Sequence, residues 1–285
     1  MKRFLLLALC APIFAAPAHS ATKGLCKFDT STLQFAGTAT EQANCLLRFV
    51  KKKATGSTPQ AVPDVILSTV GKTSDISVDQ LARCVQTANI DPLAIGGRLS
   101  DPVAGNVSYF VIHDTSAPEL TGVESFPSNI NESSWSGNRI PEGSWPSLLG
   151  RVHIIVNRVG ESRTMTKFSE LRSKPAVKLE SSTQVLAARK RFIHVENIQP
   201  RIKPPGSWGH VAPDPGFSGK QLERLAWVYV AASVRAKRWL IPAFHFNIDS
   251  DLFPGVDVHD DPQVFDLPAW GEKITGVRAA CMTPS

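Results

Sequence analysis

Three short runs in the second half of the chain constrain its fold most: VSYFVIHDT (107–115), RVHIIVNRVG (151–160) and RFIHVEN (191–197). Each is rich in β-branched and aromatic residues and has the length of a single strand. SGKQLERLAWVYVAASVRAKRW (218–239) follows, with Leu222, Leu225, Ala226 and Tyr229 at helical spacing and Ser218 and Gln221 placed for a capping box. LIPAFHF then reads as a further brief strand. Strands interleaved with helical segments indicate an α/β domain, here 105–285. The Pro- and Gly-rich IQPRIKPPGSWGHVAPDPG reads as a long ordered loop.

Before residue 104 the pattern is helical. TATEQANCLLRFVKK places Ala43, Leu46, Leu47 and Val50 at helical spacing behind a Thr38/Glu41 capping box. SVDQLARCVQTANI repeats the design with Ser77 and Gln80, burying Leu81, Cys84 and Val85. DPLAIGGRLSDPVAG then breaks the periodicity. Residues 22–104 are therefore expected to form a small helical region, with packing on the following domain as its default role. Residues 1–21 have the layout of a signal peptide: basic MKR, apolar FLLLALCAPIFAA, and small-residue PAHSAT with cleavage after Ser20 or Ala21. The apolar run is too short to span a bilayer, and no other run is long enough. Leu9 before Cys10 favours plain secretion over lipidation, so a periplasmic or extracellular protein is expected.

Without the leader, which carries Lys2 and Arg3, the basic residues fall from 31 to 31 − 2 = 29 against 25 acidic ones, a net +4. The basic runs KKK (51–53) and RKR (189–191) are short, whereas nucleic-acid binding needs a concentrated basic face, so no nucleic-acid partner is expected. Mild basicity suits an anionic cell-wall polymer. Cys26, Cys45, Cys84 and Cys281 suggest two disulfides in an oxidising compartment; of three possible pairings, Cys26–Cys45 with Cys84–Cys281 is the expectation. No C-x-x-C spacing supports a cysteine metal site. Nothing in the sequence specifies an oligomeric state.

Histidines mark the ends of these runs. His113 closes one strand and His245 another, while VDVHDDPQVFDL brings His259, Asp260 and Asp261 together. A catalytic zinc site needs three N or O ligands and one open position. His113, His245 and one residue of HDD supply that set, and two imidazoles with one carboxylate favour zinc over magnesium or calcium. In RFIHVEN, alternation puts Phe192, His194 and Glu196 on one face. A carboxylate there, beside a metal, is placed to take a proton from water. For each residue alone, a packed histidine or a surface glutamate is the ordinary role; only convergence of the elements makes a site.

In this order the pieces resemble the zinc-dependent type 2 N-acetylmuramoyl-L-alanine amidases, the family related to peptidoglycan recognition proteins and bacteriophage amidase lysozymes. YFVIHDTS is similar to the strand ending in the first zinc histidine, RVHIIVNRVG to the second strand, FIHVEN to the strand with the catalytic glutamate, SGKQLERLAWVYVAASV to the family helix, AFHFNID to the second histidine segment, and HDDPQVFDL to the closing Asp-Pro…Phe-Asp motif. The resemblance spans about 105–272. It implies a mixed central sheet flanked by helices, Zn2+ held by His113, His245 and Asp261, Glu196 shuttling the proton, and His259 steadying the transition state where many members carry a lysine. His153 and His194 are candidate substrate contacts, as are the loops with Trp135, Trp145, Trp208 and His210. The chain also departs from the pattern. Asp114 follows His113 where a second histidine is common, and SDLFPGV lengthens the span from His245 to Asp261. The third ligand stays open among Asp261, His259 and Asp260, with the Asp-Pro match favouring Asp261.

The expected function is that of an exported peptidoglycan hydrolase, cleaving the amide between N-acetylmuramic acid and L-alanine of the stem peptide with zinc-activated water. Its partners would be peptidoglycan or muropeptide fragments. The alternatives are a non-catalytic peptidoglycan-recognition protein on the same fold, or a zinc hydrolase of another amide.

Overall fold

Buried parallel strands read as continuous apolar runs because both of their faces are covered, and YFVIHD behaves in this way. In a computed structural model, it forms β1 (Tyr109–Asp114), buried at every position. The structure describes residues 25–51, 56–140, 147–182, 186–206, 210–252 and 259–283; the expected leader, Trp145, Trp208 and Asp257 lie outside them. The other strands of the main sheet are β2 (Ile154–Val156), β3 (Ser162–Thr164), β4 (Phe192–Asn197) and β5 (Ile241–Phe244), in spatial order β5-β1-β4-β2-β3. The β5–β1, β1–β4 and β4–β2 pairs are parallel and β2–β3 is antiparallel, so the sheet is mixed. Asn157 shapes the β2–β3 turn: its Oδ1 accepts from the N–H groups of Val159 (3.2 Å) and Glu161 (2.8 Å).

The helices are α1 (Ala39–Leu46), α2 (Val78–Thr87), α3 (Lys178–Ser182), α4 (Gly219–Arg235), α5 (His245–Asp249) and α6 (Leu267–Met282), besides a single turn at Asp64–Leu67. The capping boxes expected at Thr38/Glu41 and Ser77/Gln80 are both present. At α4 only half of the expected box forms. Ser218 accepts from Gln221 N (3.0 Å), but the Gln221 side chain is buried and donates to the carbonyls of Val156 (3.3 Å) and Ile198 (3.1 Å). It ties the helix to the sheet instead of to its own first turn. Asp266 caps α6 by accepting from Ala269 N at 2.9 Å. Among the described residues no helix is long and apolar enough to cross a membrane.

On one face of the sheet, Phe110 packs against Tyr229 of α4 and Trp270 of α6, with ring centroids 5.2 and 6.5 Å away. The first part of the N-terminal region, with α1, covers the other face, whereas α2 packs against α4 and α6. Phe35 meets Tyr109 edge-on at 5.3 Å, and the Tyr109 hydroxyl donates to Gln42 Oε1 and accepts from Phe35 N, each at 2.8 Å. Phe28, Phe35, Leu46, Ile66 and Leu81 belong to the same buried cluster as the sheet and α4. The change of pattern near residue 104 therefore marks a change of element type, not a break in the core. Uncovering Phe192 alone would cost about 1.5–3 kcal/mol of lost burial. The region also holds two short antiparallel pairs, Phe28–Asp29 with Gln34–Phe35 and Phe49–Val50 with Ser57–Thr58, so it is not wholly helical. The disulfides are Cys26–Cys45, joining the front of the chain to α1, and Cys84–Cys281, joining α2 to α6.

Candidate metal centre

Parallel strands deliver their C-terminal ends to one edge of the sheet, where ligand sites commonly form. Here β1 delivers His113, β4 delivers Glu196 directly beside it in register, and β5 runs into His245, the first residue of α5. The closing segment must be brought in from outside the sheet. Its backbone is tied down twice: Phe246 N donates to the Asp261 carbonyl (3.0 Å), and Gln263 N donates to Asp114 Oδ2 (2.8 Å). Asp114 is itself gripped by both oxygens, at 2.6 and 2.7 Å, from Arg201 Nη2. The Asp114 that departs from the family pattern is thus the anchor of the closing segment.

His113, His245 and Asp261 are buried and can hold a metal ion between them. His113 Nδ1 lies 3.1 Å from His245 Nδ1 and 3.4 Å from Asp261 Oδ2; His245 Nδ1 lies 2.8 Å from Asp261 Oδ1. Tetrahedral ligands about 2.05 Å from zinc are about 3.3 Å apart, close to this triangle. Despite its close approach to His245, Asp261 Oδ1 has no aligned hydrogen bond among the described residues. Lone pairs converging on one point behave in this way. The far side of each imidazole agrees. His245 Nε2 is 3.0 Å from Asp249 Oδ2, and a carboxylate only accepts, so Nε2 carries hydrogen and Nδ1 is left for a ligand. His113 Nε2 is 2.8 Å from His194 Nδ1.

Electrostatics follow from burial and proximity. Burial, then the neighbouring His245, pulls the His113 pKa below its ordinary value. Burial pulls His245 down too, but Asp261 and Asp249 outweigh it and leave its pKa well above the ordinary value. Asp261 is held below the usual carboxylate range: burial pushes it up, and His245 and His113 more than offset that. The same donor atoms would bind either protons or a metal ion. A metal ion bound there would compete with protons, which would link its affinity to pH. Glu196 differs. Burial, and then the Asp261 charge, push its pKa well above the ordinary value, and its Oε2 has no hydrogen-bond partner among the described residues.

These groups open into a cleft of about 530 Å3, lined by His113, Glu196, His245, His259 and Asp261 and, on its outer walls, by Arg151, Leu148, Val177, Lys178 and Ser181. His259 is exposed and stacks on His245 with centroids 5.2 Å apart. Asp260 accepts from Gln263 Nε2 at 2.5 Å. Asp261, and neither of these, therefore completes the donor triangle. The expected substrate contacts His153 and His194 are placed otherwise. Both are buried and neither lines the cleft; His153 Nδ1 accepts from His194 N (3.1 Å). Burial, then the Arg172 charge, pulls both pKa values well below the ordinary value. Strand alternation puts His194 on the face of Glu196 but carries nothing on its depth. Trp135 is packed over Gly137, where a Cβ would meet its ring at 2.3 Å, and His210 pairs with Glu119 at 3.3 Å outside the cleft. Asp249 was not foreseen. Its spacing from His245, four residues on a helix, was the available signal, hidden by reading the segment as strand alone.

Comparison with protein-family models, with curated proteins and with solved structures gave no match.

Proposed function

We propose that the chain is an exported zinc-dependent hydrolase that cleaves the amide between N-acetylmuramic acid and L-alanine of the peptidoglycan stem. One observation carries this reading: His113 Nδ1, His245 Nδ1 and the Asp261 carboxylate converge beside the buried Glu196 carboxylate, whose Oε2 has no hydrogen-bond partner among the described residues, in an open cleft. Two imidazoles and a carboxylate form a donor set suited to zinc, with a position left for a reactant. A divalent cation held there polarises a carbonyl and makes water more acidic.

The chain's own residues supply the rest. Glu196, pushed up in pKa by burial, is suited to accept a proton from the attacking water and pass it to the departing amine. His259, exposed at the cleft and stacked on His245, is placed to donate to charge developing on the carbonyl oxygen. Arg151 and Lys178 line the same cleft with no acidic partner among the described residues, which suits a peptide bearing carboxylates. The two disulfides are compatible with an oxidising, exported setting. The test is digestion of purified peptidoglycan by the zinc-loaded mature chain. Released stem peptides should begin with L-alanine. Cleavage within the glycan or the peptide would overturn the reaction class, and tight binding without cleavage would make the chain a recognition protein.

A further inference from the structure

We propose that the short helix α3 positions both histidine donors of the metal site, reaching His113 through Glu180 and His194, and His245 through Asp249. The inference rests on the metal-site reading above but not on the identity of the substrate.

The first arm is a buried chain. Glu180 Oε1 lies 3.3 Å from His194 Nε2, and His194 Nδ1 lies 2.8 Å from His113 Nε2. A carboxylate only accepts, so His194 Nε2 carries the hydrogen. A neutral imidazole has one donor and one acceptor, so His194 Nδ1 accepts and His113 Nε2 donates. This leaves the lone pair of His113 on Nδ1, toward the triangle. The tautomer of the ligand is thus fixed from two residues away. Glu180 is in turn held by Arg172, through a bond from Nη2 to Oε1 and one of 3.2 Å from Nη1 to Oε2, and by Ala176 N at 2.7 Å. Arg172, Glu180 and His194 are all buried.

The second arm starts at the first two residues of the same helix. Lys178 N and Leu179 N donate to the two oxygens of Asp249, at 3.0 and 2.8 Å. Asp249 Oδ2 also takes the hydrogen of His245 Nε2. Both outer partners of the histidines therefore end on α3, either as its own side chain or as the acceptor of its first N–H groups. The same helix presents Lys178 and Ser181 to the cleft. The wall that meets a substrate and the frame that aims the metal ligands are one element. Coupling between two such sites is reciprocal: occupying the triangle should stiffen the wall.

Two measurements on the full mature chain test this. Zinc should slow amide hydrogen exchange at Lys178 and Leu179, and a chelator should reverse the effect. Zinc affinity, measured by competition with a chromophoric chelator, should fall about 10–100-fold in His194→Leu. It should stay near the wild-type value in His194→Gln, whose side chain keeps one acceptor for His113 and one donor for Glu180. Unchanged exchange at those amides, full affinity in His194→Leu, or equal losses in both variants would each overturn the positioning role. A wild-type chain that binds no zinc would overturn the metal site as well. A chain that binds zinc and shows these effects, yet leaves peptidoglycan uncut, would refute only the proposed reaction.

Discussion

Glu196→Gln should separate catalysis from stability in opposite directions. The variant keeps the shape of the side chain and the three donor atoms of the triangle, but it cannot carry a proton between water and the leaving amine. Loss of a general acid–base group costs about 10²–10⁴ in rate, or roughly 3–5 kcal/mol. Zinc content should remain at one ion per chain. The stability effect is read on metal-free protein. Burial, then Asp261, hold the Glu196 pKa well above its ordinary 4.5. Between the unfolded and folded values, the native state keeps a proton that the unfolded chain has released. Wild type therefore loses about 1.4 kcal/mol per pH unit from this group as pH rises through that window. E196Q has no such loss, while His113 and His245 titrate in both chains and cancel to first order. In urea unfolding with chelator present, E196Q should be the more stable chain, by a margin that grows with pH and then levels off above the folded pKa. Parallel stability curves would refute the buried-carboxylate argument, and a zinc-loaded E196Q with full turnover would refute the proton-shuttle role.

Asp261→Ala should abolish stoichiometric zinc binding, while His259→Ala keeps the metal and loses turnover; metal analysis of the two purified variants checks the order of ligands. Tyr109→Phe removes a buried hydroxyl that bonds both Gln42 and Phe35, and should cost about 1–3 kcal/mol by chemical denaturation. A negligible cost would mean that the N-terminal region is not part of the cooperative core.

The parts of the fold that were legible in the sequence are those with a local cause. YFVIHD and RFIHVEN read as strands because buried strands concentrate β-branched and aromatic residues, and alternation put His194 and Glu196 on one face. Capping boxes at Thr38 and Ser77 needed only a four-residue pattern. What depended on distant partners was not legible. The Asp-Pro match already favoured Asp261 over Asp260, but what holds it in place was hidden: Asp114 accepts from Gln263 N, and Asp114 is gripped by Arg201 Nη2, 87 positions away. His194 appeared as a site residue, yet its neighbours Glu180 and His113 place it behind the donors, because alternation carries no information on depth. Gln221 had the residue type for a capping box, but the buried carbonyls of Val156 and Ile198 had a stronger claim on its amide.

The Cys84–Cys281 bond bears on how the chain withstands proteases. The two cysteines are separated by 197 residues, and the sheet, the cleft and every proposed ligand lie between them. Covalently, that stretch is a closed ring. A protease that nicks one loop within it opens the ring but releases no piece, and the cut ends stay tethered beside the fold they came from. Only a second cut frees a fragment. In surroundings rich in hydrolases, the chain can therefore tolerate one break in an exposed segment and still keep both halves of its site on one molecule.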